Sequence, residues 1–274
     1  MKSFTTFDGL QLAYTDQGAG LPVLCLSGLT RSSTDFDYVA PYLDDVRMIR
    51  MDYRGRGQSP WAQDPLTYTI PVEAKDALAL MNHLGLTRVA VLGTSRGGLI
   101  AMALGALAKD RLIGVCLNDI GPEIDNDGLS AIMVYLGRNP RFKSRAEMIN
   151  AMPAGMIGFA NVSMERWAEE VERHTNETQQ GLTINYDPKL RDAIEAAGHQ
   201  PAPDLWPLFD TLAGLPLALI RGANSNLLTL ETTTQMQHHR PDLIYSNVPD
   251  RGHVPFLDEP ESIAVIKTWL EACR

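Results

Sequence analysis

A mostly parallel β-sheet with helices on both faces is the fold class that the sequence predicts. Three observations point to it. Six short apolar runs alternate with amphipathic stretches, a hairpin-like pattern precedes them, and one long strand-free segment separates the fourth run from the fifth.

The opening FTTFDGLQLAYTDQG sets two alternating stretches on either side of Asp8-Gly9, a dipeptide suited to the positive φ angles of a tight hairpin turn. The runs PVLCLSG, VRMIRMD, RVAVLG, RLIGVCLND, LPLALIRG and DLIYSNV follow. Each is short and rich in Val, Ile or Leu, the pattern of a strand buried on both faces of a parallel sheet. Counting the hairpin, RLIGVCLND is the sixth strand. Helical spacing of apolar residues fits 72–84, 99–108 and 260–271, and the last opens with Pro260-Glu261, where the fixed φ of proline suits a first helical turn.

From about Gly121 to about Pro203 no strand pattern occurs. Helical stretches rich in Met, Glu and Arg are punctuated there by Asn139-Pro140, Pro153 and Asp187-Pro188. The segment is too long for a loop, so a helical cap inserted after the sixth strand is expected. The expected division is a core over 1–120, a cap over 121–203 and the rest of the core over 204–274.

Composition narrows the function classes. With 274 residues, 45% of them hydrophobic and 21% charged, the chain suits one large domain carrying an insertion. Its 24 Lys and Arg against 33 Asp and Glu give −9, which argues against nucleic acid or an anionic membrane as partner. The densest basic stretch, Arg138, Arg141, Lys143 and Arg145, reads as a solvated turn. No apolar run reaches the roughly 18 residues of a membrane span, and the first residues lack a signal-peptide pattern. A cytoplasmic protein, monomeric or a small homo-oligomer, is the expectation. Cys25, Cys116 and Cys273 offer neither an even disulfide framework nor a CxxC, and two of them sit inside apolar strands as inert thiols.

The strand ending at Leu92 runs directly into Gly93-Thr94-Ser95-Arg96-Gly97, then Gly98 and a helix. In G-x-S-x-G the flanking small residues let the serine occupy a strained turn that lifts its hydroxyl above the sheet. Ser95 is therefore the candidate nucleophile. A nucleophilic hydroxyl needs a base, and His253 in PDRGHVPFLDEP follows the last strand, at the carboxyl edge where open α/β sheets place their sites. His83, His174, His199, His238 and His239 lie in or beside helical stretches and read as surface or packing residues.

With these motifs the chain resembles the α/β-hydrolase-fold superfamily, in the group of small cytoplasmic carboxylesterases. Leu26-Ser27-Gly28, residues 52–59 (DYRGRGQS), the Ser95 elbow and Gly252-His253 carry the resemblance over nearly the whole chain. It implies a serine hydrolase cleaving a carboxylic ester, thioester or small lactone through an acyl-enzyme. Oxyanion donors are then the backbone N–H groups of Leu29 and Arg96. The loop at 52–59 is a scaffold turn whose Asp and Arg side chains pair internally.

Two departures stand out. Ser27-Gly28 replaces the His-Gly common after the first central strand. The turn after LALIRG normally supplies the triad acid, and the matching residue is Asn226. An amide can orient the imidazole but cannot stabilise its cation; the analogous change costs about four orders of magnitude in a serine protease. The expectation is that Asn226 lies beside His253 and the enzyme is weak. Asp119, which ends the sixth strand, is the alternative acid, or else a cap on the turn into Ile120-Gly121-Pro122. Asp250 and Asp258 flank His253 but are too local to reach behind its ring.

No cofactor is expected and no metal, since HExxH, paired cysteines and a strand-following GxGxxG are all missing. Epoxide hydrolases and haloalkane dehalogenases need an aspartate where Ser95 stands. Carbon–carbon bond hydrolases, haloperoxidase-like enzymes and a catalytically impaired binding protein stay open. A small ester-like molecule is the expected partner, and Met133, Met148, Met152, Met156, Phe159 and Trp167 of the cap are candidates to line its pocket.

Overall fold

The structure, a computed structural model, describes residues 1–198 and 203–274; His199 lies outside them. The chain opens with strands β1 (Lys2–Thr5) and β2 (Gln11–Gln17), paired antiparallel across a turn in which Gly9 has φ +87°. Next come β3 (Leu21–Leu26), β4 (Val46–Met51), helix α1 (Ile70–His83), β5 (Val89–Thr94), α2 (Arg96–Ala108) and β6 (Leu112–Asn118). A long segment then carries α3 (Asn126–Tyr135), α4 (Arg145–Gly155), α5 (Met164–His174), β7 (Thr175–Thr178), β8 (Gly181–Ile184) and α6 (Leu190–Gly198). The chain closes with α7 (Trp206–Asp210), β9 (Leu217–Gly222), α8 (Leu230–His239), β10 (Ile244–Val248) and α9 (Pro260–Ala272).

Eight strands form one sheet in the order β1-β2-β4-β3-β5-β6-β9-β10. The first two are antiparallel and every pairing from β4 to β10 is parallel. Because side chains alternate across a strand, each central strand feeds two cores. Leu24, Val91, Leu117 and Leu219 face α1 and α2. Cys25, Leu92, Cys116 and Ile220 face α9 and the short helical turn Ser33–Asp37. The three cysteines are free and buried, and burial pushes the Cys25 and Cys273 thiols up to about 12, so neither is a ready thiolate.

The segment after β6 differs from expectation in one respect: it contains the hairpin of β7 and β8. Both strands have only four residues, TNET is polar and GLTI offers just two apolar side chains beyond glycine, so no apolar run announces them. The helices around them have a small core of their own, with Leu136, Tyr186, Leu190 and Ala193 packed against Tyr68. They reach the loops beyond the carboxyl ends of several strands. Glu170 pairs with Arg31 after β3, the Asp187 amide donates to the Gly55 carbonyl after β4, and the Asn224 amide group donates to Gly158 after β9. The segment thus lies across the carboxyl edge of the sheet. Among the described residues no helix is long and apolar enough to cross a membrane.

Trp269 anchors α9: it is fully buried and its indole N–H donates to the Pro216 carbonyl at 3.2 Å. Trp269→Ala leaves a cavity, while the Pro216 carbonyl keeps the Val115 amide as donor at 2.9 Å, so a loss of about 3–5 kcal/mol is expected from packing. Urea denaturation measures it, and a loss below about 1 kcal/mol would contradict this packing.

Candidate active site

The turn from β5 into α2 holds Ser95 at φ +50°, ψ −112°, a conformation L-residues seldom adopt. Close packing explains the glycines around it. A Cβ on Gly97 would sit 2.0 Å from the Leu26 carbonyl oxygen, and one on Gly93 would sit 2.6 Å from the Gly97 carbonyl. Only hydrogen at these positions lets the helix start this close to the sheet, with Ser95 at its tip.

His253 extends from the loop after β10. Its Nε2 lies 2.9 Å from Ser95 Oγ and its Nδ1 lies 2.7 Å from Asp119 Oδ2. Asp119 is fully buried and the imidazole is mostly covered. The structure thus brings together Ser95, His253 and Asp119, in line across 158 and 134 residues of chain.

Asn226 does not hold the acid's place, which corrects the expectation above. Its side chain is exposed, and its main-chain oxygen faces Gly128 of α3, where a Cβ would come within 2.5 Å. The turn leads this residue toward the helical segment and away from the imidazole. Asp119 reaches the imidazole from the adjacent strand. β6 pairs with β9 in register Asn118 to Ile220, and the Asp119 amide donates to the Ile220 carbonyl at 2.7 Å. A φ of +57° then turns its carboxylate along the carboxyl edge.

The turn after β9 still contributes. Asp119 Oδ1 accepts the Gly222 amide at 2.8 Å, and Oδ2 accepts the Ser225 hydroxyl at 2.6 Å as well as the imidazole. Asp119 therefore also ties down the corner, as the alternative reading allowed. Ser225 is a site residue that the sequence did not single out; a serine beside two asparagines carries no signal of its own. Asp250 and Asp258 point elsewhere, to Asn161 and Arg166.

Leu29 and Arg96 flank Ser95. A Cβ on Gly28 would lie 4.0 Å from Ser95 Cβ, so the Gly28-Leu29 turn borders the hydroxyl. Among the described residues, neither the Leu29 nor the Arg96 amide has a backbone acceptor in a turn, loop or cap. The expected internal pairing of the 52–59 loop is present. Asp52 accepts the Ser33 and Gln58 amides, and Arg54 pairs with Asp8 and Asp76.

A cleft beside these groups is lined by Thr94, Asn118 and Val254, the chain neighbours of Ser95, Asp119 and His253. Its aromatic wall stacks Phe159, Trp167 and Phe256 with ring centroids 5.6 to 6.3 Å apart. Met156 joins that wall, whereas Met133 packs into the small core around Tyr186. Met148 and Met152 are not among the lining residues. Arg31, Asp35 and Glu170 form the polar side. Burial pushes the Asp35 carboxyl up to about 7, while burial together with Arg31 and Arg173 holds His174 well below the usual histidine value. Among the described residues, no three His, Cys, Asp or Glu side chains gather as a metal site.

A hydroxyl, an imidazole and a buried carboxylate in line at the carboxyl edge of a parallel sheet have the arrangement of a hydrolase. Residues 22–260 match the family model described as alpha/beta hydrolase fold, and the chain belongs to that superfamily as an α/β-fold hydrolase. A 3-hydroxybutyrate-oligomer hydrolase of Cupriavidus necator is 34% identical over 254 residues, 89% of this chain and 86% of that one. A crystal structure of an alpha/beta hydrolase from Novosphingobium aromaticivorans superposes with TM-score 0.91 at 36% identity, covering 99% of this chain and 97% of the other. A thermophilic esterase from Thermogutta terrifontis superposes with TM-score 0.73 at 26% identity, covering 99% and 98%.

The tight elbow makes a direct prediction. In Gly97→Ala the new methyl meets backbone rather than a movable side chain, so stability should fall by about 2 kcal/mol or more. Chemical denaturation reads the change, and a loss under about 0.5 kcal/mol would show that the approach is looser than described.

Proposed function

We propose that this hydrolase is a serine esterase that cleaves carboxylic esters through an acyl-enzyme, with Ser95, His253 and Asp119 as its catalytic triad. The observation that carries the reading is the continuous pair of hydrogen bonds from Ser95 Oγ through His253 to Asp119, at 2.9 and 2.7 Å. Ser95 Oγ attacks the ester carbonyl carbon while His253 Nε2 takes its proton. Asp119 holds the Nδ1 proton and stabilises the imidazolium that forms. The carbonyl oxygen becomes an oxyanion between the Leu29 and Arg96 amides. Collapse of this intermediate breaks the ester C–O bond, and the imidazolium gives its proton to the leaving alkoxide. Water, deprotonated by His253, then attacks the acyl-enzyme and frees Ser95 and the acid.

The substrate class we favour is a short hydroxyacid ester. Similarity to the 3-hydroxybutyrate-oligomer hydrolase supports it, as does a cleft with aromatic rings on one side and Arg31, Asp35 and Glu170 on the other. The helical segment over 121–203 serves as a cap whose side chains choose the acyl group. The expected weakness from Asn226 loses its basis, because the imidazole has its carboxylate from Asp119.

Three variants test the assignment with a chromogenic ester. Ser95→Ala should abolish turnover with the fold intact, since removing one oxygen from a half-buried serine outside the core leaves no core cavity. Asp119→Asn should lower kcat by about three to four orders of magnitude. Asn226→Asp should change it by less than about threefold, because an exposed carboxylate at that turn gains no access to the imidazole. A large gain from Asn226→Asp with little loss from Asp119→Asn would reverse the assignment of the acid.

A further inference from the structure

The 14-residue helix α1 buries a glutamate completely, an unusual place for a charge. Glu73 Oε1 accepts from Arg56 Nη1 at 2.7 Å and Glu73 Oε2 accepts from Arg96 Nε at 2.5 Å. Burial pushes the Glu73 carboxyl up, but the attraction of Arg56 and Arg96 outweighs it and holds the group below its ordinary value.

The two arginines lead to two different places. Arg96 opens α2, and its guanidinium also donates to the Tyr68 carbonyl at 3.0 Å, which fixes the first turn of the helix from two sides. Arg56 sends its Nε–H to the Leu29 carbonyl at 2.8 Å. Its Nη1 also donates to the Arg54 carbonyl at 2.8 Å, and its guanidinium lies 5.5 and 5.4 Å from the Tyr53 and Tyr68 ring centroids. Tyr53 pins the same turn one step earlier through its hydroxyl on the Ser27 carbonyl at 3.2 Å.

Leu29 and Arg96 are the residues whose amides face the developing oxyanion in the proposed mechanism. We infer that Glu73 is a positioning residue for the oxyanion site, holding the Leu29 turn through Arg56 and the start of α2 through Arg96. The inference rests on the acyl-enzyme reading above. Here one carboxylate ties together two backbone segments that border Ser95. Donors fixed in advance cost no reorganisation when negative charge appears, which is where such sites act.

The test compares wild type, Glu73→Gln and Arg56→Lys with p-nitrophenyl acetate and with an aryl trifluoromethyl ketone, which forms a tetrahedral adduct on the serine. Arg56→Lys keeps a cation beside Glu73 but loses the forked reach to the Leu29 carbonyl, so it stays informative if Glu73→Gln does not fold. Losing one oxyanion donor outright costs about 10² to 10³ in kcat, so loosening donors should cost roughly 10- to 100-fold. In Arg56→Lys, kcat per folded molecule should fall by that factor with KM within about threefold, and the inhibition constant of the ketone should rise in parallel with the loss in kcat/KM. The pH midpoint of kcat/KM should not move, because His253 and Asp119 are untouched. A variant with less folded protein but unchanged kcat per folded molecule and unchanged ketone affinity would overturn the inference and leave the network purely structural. Failure of the wild type to cleave the ester or to bind the ketone would instead overturn the acyl-enzyme reading, and this inference with it.

Discussion

The Asp119 carboxylate is where the site and the sheet are joined. One oxygen accepts the Gly222 amide, and the other accepts both the Ser225 hydroxyl and the His253 imidazole. Burying an unpaired carboxylate costs several kcal/mol, so a fully buried aspartate persists only where donors are supplied by design of the backbone. The parallel pairing of β6 with β9 supplies one, the turn after β9 a second, and the loop after β10 the third. The carboxylate that orients the imidazole therefore also ties together the carboxyl ends of neighbouring strands.

A second constraint acts on the other side of Ser95. The hydroxyl is raised by a turn that tolerates no side chain at Gly93 or Gly97, which brings α2 against the end of β3. The Leu29 turn that follows β3 is in turn held by the 52–59 loop at several points: Asp52 takes the Ser33 amide, Tyr53 the Ser27 carbonyl and Arg56 the Leu29 carbonyl. Asp52, Tyr53, Arg54, Arg56 and Ser59 of that loop are buried, and their partners lie within the loop and in neighbouring segments. Precision at the reactive centre thus comes from buried polar networks on both sides, which specify a geometry more than they add stability.

Much of this was readable in the residues. Strands such as LALIRG and RVAVLG announce themselves because both faces are buried and most positions are apolar or small, with Arg221 an exception near the strand end. Ser95 was legible because a strained turn demands glycines at fixed offsets, and His253 because it follows the last strand. The hairpin of β7 and β8 was not legible, since TNET is polar and GLTI, although Leu182 is buried, is too short to stand out as an apolar run. The acid was visible only as a pair of candidates. Asp119 directly follows β6 and Asn226 lies in the turn after β9 at the same edge, and choosing between them needs the register of β6 against β9 and the φ of Asp119, which no local pattern encodes. Glu73 was not singled out for a similar reason: only the packed loops show that it is enclosed by two arginines.

The central claim is that Asp119, and not the turn at Asn226, holds the Nδ1 proton of His253. Proton NMR with nitrogen-15 histidine labelling addresses it directly, because a proton shared between an imidazole and a buried carboxylate resonates far downfield of other amide and ring protons. The account predicts such a signal for His253 in the wild type, kept in Asn226→Ala and lost in Asp119→Asn. A downfield signal that survives Asp119→Asn and vanishes in Asn226→Ala would contradict it.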